Sequence, residues 1–294
     1  MVASFIAPLL VIVGETASGK SALALELAQR LNGEIICADS WTVRREVNIG
    51  TAKPTQEEQN LVRHHLLDVA GPDEDFTAAV FKRLANEAIK DISARGKLPI
   101  MVGGTGLYID GVIFDYGFLE AGDRSARQEL NKQTNQNLLQ QIRNLGLELG
   151  DVDIRNKRRL IRLIETNGAT PTKQDLRSST YIIGLKSESE ELKKRINKRI
   201  NKMLEDGLEQ EVSGLAELYG WECEALKGVG YAQWKDYFLG TQSQDETRAK
   251  IIKATSDLAK RQRTWFKRNK SIQWLPTPVN LEETVDSITT HLFK

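Results

Sequence analysis

Short apolar runs alternate with stretches of helical periodicity through the first third of the chain. The apolar runs predict strands at residues 9–13, 34–38, 65–69 and 98–102. The helical periodicity predicts helices at residues 19–31 and 77–95, the second capped by Thr77 and ended by Gly96. Strands that alternate with helices are typical of a parallel sheet covered by helices. We therefore predict an α/β fold with a mainly parallel sheet flanked by helices.

The pattern changes between about residues 119 and 178, where apolar positions become sparser and short amphipathic helices are predicted. The apolar run at residues 181–185 then indicates a strand that returns to the main sheet. Further helices are predicted at residues 189–206, 208–218 and 247–267, with a last edge strand at 272–275. We therefore predict a core domain formed by residues 1–118 and 179–294, with a small all-helical insertion domain at 119–178.

The composition is that of a globular protein without a disulfide or zinc framework. Hydrophobic residues make up 40% of the chain, charged residues make up 28%, and the net charge is +1. The two cysteines (Cys37 and Cys223) and three histidines are too few for a disulfide scaffold or a structural zinc site. The first apolar run is too short to span a bilayer and lacks the pattern of a signal peptide. We therefore expect a cytoplasmic protein.

The stretch GETASGKS at residues 14–21 lies between the first predicted strand and the first predicted helix, as a P-loop does. Glycines allow the backbone to wrap closely around an oxyanion, and the helix N-terminus points its N–H groups at that anion. Lys20 adds a positive charge, and the Ser21 hydroxyl can hold a magnesium ion that bridges phosphates. The core is therefore predicted to be P-loop NTPase-like. The predicted diphosphate-binding residues are Gly14, Thr16, Ala17, Ser18, Gly19, Lys20 and Ser21.

Two further segments are expected at the same edge of the sheet, because ligands of open α/β sheets bind at the carboxyl ends of the strands. Asp39 follows the second predicted strand and is a candidate general base or magnesium ligand, although a capping or turn role is equally consistent with its position. The turn at residues 103–106 follows the fourth strand, and its Thr105 would present a hydroxyl beside Asp39. Residues 49–54 (IGTAKP) form a glycine–hydroxyl–lysine turn of the kind that packs over phosphates.

Basic residues are concentrated in three runs, although the whole chain carries a net charge of only +1. Any single run is typical of a solvated helix face. Three together favour a track for a polyanion. The aromatic residues Trp265 and Phe266 within the third run are interpreted as core anchors. The runs comprise Arg155, Lys157, Arg158, Arg159 and Arg162; Lys193, Lys194, Arg195, Lys198, Arg199 and Lys202; and Lys260, Arg261, Arg263, Lys267, Arg268 and Lys270.

Taken together, these segments resemble the tRNA dimethylallyltransferases, also called tRNA isopentenyltransferases or the IPP transferase family. The resemblance extends over nearly the whole chain, and the order and spacing of its motifs make it specific. The lack of the C-terminal zinc finger of eukaryotic members indicates the bacterial type. The matching segments are residues 14–21, 39–40, 49–54, 64–68, 102–108, Arg158-Arg159 with Arg162, 228–233 and 259–266.

The resemblance implies a reaction that moves a dimethylallyl group from dimethylallyl diphosphate to the exocyclic N6 amine of the adenosine adjacent to the tRNA anticodon. Asp39 is then implied as the general base, and Thr105 and Lys20 as catalytic residues at the donor, with Mg²⁺ as cofactor on Ser21. A monomer is expected, since tRNA, held by its anticodon stem-loop, occupies one face. The implied tRNA-binding residues are Asp39, Ser40, Thr42, Thr105, Arg127, Arg158, Arg159, Arg162, Lys260, Arg261 and Arg263.

The chain departs from the family pattern at a few positions near the expected site. Glu15 stands where proline is usual, and an acid there weakens diphosphate binding unless it points away or pairs with a basic residue. Thr42 and Arg44 stand at expected base-reading positions where glutamine and tyrosine are usual. Three alternatives remain open: a prenyltransferase acting on free adenine nucleotides, a P-loop kinase for a small molecule, and an RNA-binding protein that has lost activity.

Overall fold

The chain folds into two compact units in a computed structural model that describes residues 7–119 and 122–293. The first, called the core unit, comprises residues Met1–Ile113 and Leu176–Lys294. The second, called the helical unit, comprises residues Phe114–Asp175. It begins and ends a few residues before the range 119–178 that the sequence indicated for an insertion.

The core unit contains a six-stranded sheet in which every pair of neighbours is parallel. The strands are β1 (Leu9–Gly14), β2 (Gly33–Cys37), β3 (His64–His65), β4 (Leu98–Gly103), β5 (Thr180–Lys186) and β6 (Ile272–Pro276). Their order across the sheet is β3-β2-β4-β1-β5-β6. The predicted α/β fold is confirmed, and the predicted edge position of the last strand is confirmed with it.

Helices cover the sheet and also form most of the regular structure described in the helical unit. They are α1 (Lys20–Arg30), α2 (Gln56–Leu61), α3 (Ala78–Ala94), α4 (Gly106–Ile113), α5 (Arg124–Lys132), α6 (Asn135–Asn144), α7 (Lys157–Glu165), α8 (Ser189–Glu205), α9 (Leu208–Tyr219), α10 (Lys235–Phe238), α11 (Gln244–Phe266) and α12 (Leu281–Phe293). Helices α5, α6 and α7 belong to the helical unit. None of the described helices is long and apolar enough to cross a membrane.

The third strand is shorter than the sequence indicated. The apolar run predicts a strand at 65–69, whereas β3 contains only His64 and His65. Leu66 and Asp68 adopt φ angles of +63° and +56°. A residue in this left-handed region turns the chain out of an extended conformation, so the strand cannot continue through it. The prediction was wrong because hydrophobicity alone does not report backbone conformation.

Burial follows from the layered architecture. Every residue of β1 and β4 is buried, as expected for central strands with helices on both faces. Leu10 and Ile12 of β1 pack with α1 and with Ile288 of α12 in one hydrophobic cluster. A second cluster joins α8, α9 and α11 through Ile196, Trp234 and others. This second cluster fixes α8 and α11, which carry several of the side chains discussed below.

The starts of α3 and α11 agree with local capping signals. Thr77 Oγ1 accepts a hydrogen bond from Val80 N at 3.2 Å, which confirms the predicted cap of α3. Helix α11 begins at Gln244, three residues before the predicted start, because Ser243 and Glu246 form a reciprocal capping box. The S-x-x-E spacing of that box is present in the sequence and would have placed the helix start correctly.

Candidate active site

The P-loop forms a tight turn between β1 and α1, as predicted. Ala17 and Gly19 adopt φ angles of +62° and +94°, both in the left-handed region. Glycine enters this region without steric cost, whereas an alanine there is strained. The first N–H groups of α1 have no partners within the helix and are free to bind an anion. The loop therefore has the backbone conformation of an oxyanion site.

A cavity of about 560 Å³ lies at the carboxyl ends of β1, β2 and β4. Its walls include most of the P-loop and residues from several other segments of the core unit. Gly14 and Ser18, also predicted to bind diphosphate, are buried and are not among its lining residues. Many of its lining residues are polar or charged or belong to the loops. They include Thr16, Ala17, Gly19, Lys20, Ser21, Asp39, Thr42, Thr51, Lys53, Gly103, Gly104, Arg195, Arg199 and Gln262.

Lys20 is held at the cavity wall by its own loop. Its Nζ donates a hydrogen bond to the Glu15 carbonyl oxygen at 2.6 Å. Burial, and after it the positive charge of Arg199, lower the pKa of Lys20, whereas Asp39 and Glu15 act in the opposite direction; the resulting pKa is about 8. An anion that enters the cavity would raise this pKa, because it stabilises the charged ammonium.

Asp39 closes a turn and also lines the cavity. Its Oδ1 accepts hydrogen bonds from the backbone N–H groups of Trp41 (2.8 Å) and Thr42 (3.3 Å), so the side chain closes a turn. The same side chain lines the cavity. The turn thus fixes the carboxylate in a defined orientation at the cavity wall.

Thr105 is joined to the same turn. Its Oγ1 accepts a hydrogen bond from Ser40 N at 3.0 Å, and its own N–H donates to Ala38 O at 3.3 Å. Thr105 therefore contacts the residues on either side of Asp39. The loops after β2 and β4 are connected at the point where the sequence predicted them to meet.

Gln262 is a site residue that was not predicted from the sequence. Its side chain is buried, its Oε1 accepts from Thr16 N at 2.7 Å, and its Nε2 donates to Gly104 O at 3.1 Å. One amide thus joins the P-loop to the turn after β4. The signal was available, because Gln262 lies between Ala259 and Phe266 at helical spacing and all three are buried. A polar residue at a core-facing position needs buried partners.

Glu15, the departure within the P-loop, is buried and paired. Its carboxylate accepts a hydrogen bond from Nε of Arg263 on α11. This hydrogen bond raises the pKa of Arg263. The pairing meets the condition under which an acid at this position is compatible with anion binding. Arg263, which the resemblance assigned to tRNA binding, is thus engaged at the P-loop.

The two unusual residues at the expected base-reading positions differ in orientation. Thr42 is buried and lines the cavity, and its Oγ1 has no hydrogen-bond partner among the described residues. Arg44 is also buried, but its guanidinium donates to the carbonyl oxygens of Gly71 (3.0 Å) and Glu74 (2.7 Å). Of the two residues, only Thr42 therefore lines the cavity.

Two arginines of the second basic run also line the cavity. Arg195 and Arg199 are four residues apart on α8 and so share one helix face. Arg199 Nη2 donates to the Thr51 carbonyl oxygen at 3.0 Å, and burial lowers the pKa of Arg199. The sequence placed these residues in a polyanion track. Their spacing would have assigned them to one face, but nothing local indicates that this face meets the P-loop.

A second, smaller cavity of about 70 Å³ shares Thr16, Asp39, Thr51, Arg199 and Leu258 with the first. The rest of its lining is mainly apolar. It comprises Trp41, Gly50, Ile196, Ile200, Met203, Val229, Gly230, Ile251 and Thr255. The Asp39 carboxylate thus lies between a polar, cationic space and an apolar one.

The other basic residues predicted to bind tRNA lie on α11 of the core unit and on α5 and α7 of the helical unit. In the core unit, Lys260 and Arg261 are exposed on α11. In the helical unit, Arg127 and Arg162 bond the buried carboxylate of Glu165 at 3.0 and 3.4 Å. Arg158 and Arg159 are exposed on α7. Arg127 and Arg162 thus pair with Glu165, and Lys260 pairs with Asp257 at 3.6 Å. Arg158, Arg159 and Arg261 are exposed to solvent.

A strand–loop–helix P-loop with a carboxylate and two arginines facing the same cavity defines the phosphate-binding class of α/β proteins. Residues 42–269 match the family model described as IPP transferase, and the chain belongs to this family. The family resemblance inferred from the motifs is thereby confirmed.

Curated relatives and solved structures agree with this assignment. The tRNA dimethylallyltransferase of Anoxybacillus flavithermus is 41% identical over 275 residues, which cover 90% of this chain and 88% of the relative. The crystal structure of the tRNA isopentenylpyrophosphate transferase of Bacillus halodurans matches with a TM-score of 0.77 at 34% identity, covering 98% of this chain and 97% of that one. A eukaryotic dimethylallyltransferase acting on tRNA matches with a TM-score of 0.74 at 25% identity, covering 95% of this chain and 75% of that one.

Proposed function

We propose that this chain transfers a dimethylallyl group from dimethylallyl diphosphate to the exocyclic N6 amine of the adenosine adjacent to the tRNA anticodon. The observation that carries the proposal is the position of Asp39 between the cationic P-loop cavity and the smaller apolar cavity. A prenyl diphosphate needs both environments, and a proton acceptor must lie where they meet. The names of the relatives support the choice of tRNA over a free nucleotide and over a kinase substrate.

The donor fits across the two cavities. Its diphosphate would bind the P-loop N–H groups, Lys20 and Arg199, since oriented amides and cations are the usual partners of phosphate oxygens. Its five-carbon tail would enter the apolar cavity, whose walls include Ile200 and Met203. Because the two cavities share Thr16 and Arg199, one molecule can reach both.

The P-loop residues are suited to a magnesium ion. Mg²⁺ takes oxygen ligands, keeps several waters, and is usually held by one or two protein groups together with substrate phosphates. The Ser21 side chain lines the cavity at the start of α1 and is exposed to it. When bound, Mg²⁺ would neutralise charge on the leaving diphosphate.

The reaction breaks the bond between C1 of the dimethylallyl group and the diphosphate oxygen, and forms a bond between C1 and the adenine amine nitrogen. Charge builds on the leaving oxygen, where Lys20, Arg199 and the loop amides stabilise it. The amine is a weak nucleophile because its lone pair is delocalised into the ring. Asp39 accepts the proton that the amine nitrogen loses. Thr105 and Gln262 hold the surrounding loops through the hydrogen bonds described above.

The acceptor must leave the stacked anticodon loop to reach this cavity, as in other enzymes that act on a base. Exposed arginines and lysines would hold the RNA backbone, because most protein–nucleic acid hydrogen bonds go to phosphates. We assign this role to Arg158, Arg159, Lys260 and Arg261, which are exposed. Because the proposed substrate is tRNA, we also propose a cytoplasmic location and a monomer.

The proposed function is tested by incubation with radiolabelled dimethylallyl diphosphate and Mg²⁺, with unmodified tRNA and AMP offered in parallel. We expect label in tRNA alone. Label in AMP alone would contradict tRNA as the acceptor and indicate a nucleotide prenyltransferase. Label in neither, with tRNA still bound, would indicate a binding protein without activity. In a separate incubation with ATP, phosphoryl transfer without prenyl transfer in the first incubation would indicate a kinase.

Charge reversal at Arg158 and Arg159 is expected to raise the KM for tRNA about tenfold or more, because two phosphate contacts are lost and two repulsions are added. The KM for dimethylallyl diphosphate is expected to stay unchanged. Lys132→Glu, at another exposed basic residue of the helical unit, serves as the control. An unchanged tRNA KM in the double variant, or an equal rise in the control, would contradict the assignment of these arginines to tRNA binding.

Donor binding is expected to weaken above pH 8 because of Lys20, whose pKa in the free protein is about 8. Below that pH the ammonium is already charged. Above it the neutral amine must first gain a proton, so the KM for the donor rises by up to about tenfold per pH unit. The measurement is the donor KM from pH 6.5 to 9.5. Lys20→Arg stays charged over this range, and its KM should be flat. A flat KM in the parent would contradict the assignment.

A further inference from the structure

The carboxylate of Glu211 on α9 accepts four hydrogen bonds, three of them from the backbone of one loop of the core unit. Its Oε2 accepts from the backbone N–H groups of Asn48 (2.9 Å) and Ile49 (2.9 Å). Its Oε1 accepts from Gly50 N (3.1 Å) and from the hydroxyl of Tyr231 (2.6 Å). Four donors thus point at one carboxylate, and bonds to an ionised acceptor are roughly twice as strong as neutral ones. None of these groups takes part in the proposed reaction.

The loop that Glu211 holds, residues 48–53, is tightly folded. Ala52 N donates to Ile49 O at 2.9 Å and Lys53 N to Asn48 O at 3.0 Å, while Ala52 adopts a φ of +48°. Gly50 lies so close to Tyr231 that a Cβ atom would come within 2.5 Å of its ring. Glycine is therefore required there, and the loop is pressed between the Tyr231 ring and the Glu211 carboxylate.

The other side of this loop forms part of the larger cavity, of about 560 Å³, which is proposed to bind the donor diphosphate. Thr51, Ala52 and Lys53 line it. The carbonyl oxygen of Thr51 accepts the hydrogen bond from Arg199 Nη2 at 3.0 Å. The position of the Arg199 guanidinium thus depends on where the loop places that carbonyl. A continuous series of contacts leads from Glu211, through the loop backbone, to a cation at the cavity wall.

We propose that Glu211 is a positioning residue for the diphosphate of the donor, acting through the loop on Arg199. This inference rests on the proposed function only for the identity of the donor. Loss of the Glu211 charge would leave three adjacent N–H groups sharing a weaker acceptor, and the loop would no longer hold the Thr51 carbonyl in place. Arg199 would then lose its fixed orientation toward the cavity while keeping its charge.

The test is a double-mutant cycle of Glu211→Gln and Arg199→Gln, read as separate KM values for the two substrates. We expect Glu211→Gln to raise the KM for dimethylallyl diphosphate about tenfold, with the KM for tRNA within about twofold of the parent. In the Arg199→Gln background the same change should add little, because the residue through which Glu211 acts is already gone. Tyr231→Phe removes one hydrogen bond but leaves the three loop bonds, and its donor KM should stay near the parent's.

A purely structural role for Glu211 predicts a different outcome. Thermal unfolding would occur at a lower temperature while the donor KM stayed unchanged, or both KM values would rise together. Either result, or full additivity with Arg199→Gln, would overturn the proposal. If Glu211→Gln does not fold, Glu211→Asp is tested in its place, since it keeps the charge on a shorter side chain. The KM for dimethylallyl diphosphate should again rise while the KM for tRNA stays near that of the parent.

Calorimetric titration with inorganic diphosphate and Mg²⁺ separates this inference from the proposed function, because it needs no acceptor and no turnover. We expect the Kd for diphosphate to rise about tenfold in Glu211→Gln. If the parent transfers no prenyl group but this difference is found, the proposed function fails and the role of Glu211 stands. If the parent is active and the diphosphate Kd is the same in both proteins, the role of Glu211 fails alone.

Discussion

Asp39→Asn is expected to lower kcat by about 10²–10⁴-fold, the usual contribution of a general base, while leaving the Kd for tRNA within about twofold. The amide keeps the size of the carboxylate, and its oxygen can still accept from the N–H groups of Trp41 and Thr42. The turn therefore survives, and only the proton acceptor is lost. Asp39→Ala removes both the proton acceptor and the side-chain oxygen that closes the turn. We therefore expect an equal loss of turnover together with weaker binding of the acceptor.

The measurement is the single-turnover rate of prenyl transfer, combined with filter binding of tRNA. Asp73→Asn, which neutralises an exposed carboxylate outside both cavities, is the control and should retain the parental rate. Normal turnover in Asp39→Asn would contradict the assignment of Asp39 as base. Lost tRNA binding with normal turnover would show that this carboxylate only contacts the RNA.

Arg263→Ala is expected to damage the P-loop, because it leaves the buried Glu15 carboxylate without its partner. Removing one member of a buried ion pair typically costs about 3–5 kcal/mol. The Arg263 side chain is 35% exposed, so water can replace part of the interaction, and we expect a loss of about 2 kcal/mol in the free energy of unfolding. The unpaired negative charge beside the diphosphate site should also raise the donor KM about tenfold.

Thermal unfolding and donor KM together check this prediction, and a second substitution provides the control. Glu15→Gln removes the buried charge, so the double variant Glu15→Gln with Arg263→Ala should recover most of the donor affinity. If the donor KM of Arg263→Ala equals that of the parent, the ion pair does not protect the diphosphate site. If the tRNA KM rises instead, Arg263 serves the RNA directly, as the family resemblance implied.

Local patterns predicted those parts of the fold that depend on neighbouring residues. The P-loop was recognisable because strand, glycine turn and helix follow one another within about twenty residues, and each has its own local signal. The predicted meeting of the Asp39 and Thr105 loops followed from the geometry of parallel strands. Strand β3 was overestimated, because the positive φ angles of Leu66 and Asp68 are not visible in an apolar pattern.

Contacts between residues far apart in the sequence could not be predicted from local sequence patterns. The bonds from Glu15 to Arg263 and from Thr16 to Gln262 join residues 248 and 246 positions apart. No local preference of either residue indicates its partner. The sequence could state only the condition under which Glu15 is tolerated, and the structure supplies the partner. Arg44 is similar, since its binding to the backbone near Gly71 depends on the path of a separate loop.

The strand order has a consequence for the way the protein is made. Strand β1 lies between β4 and β5, and β5 begins only at Thr180. On the ribosome, β1 to β4 therefore emerge while the other side of β1 is still an open edge, and this edge is exposed until the whole helical unit has been synthesised. Such an edge is prone to mispairing with other chains. Slow translation through residues 114–175 would prolong this exposure, so the synthesis rate of that segment should influence the yield of native protein.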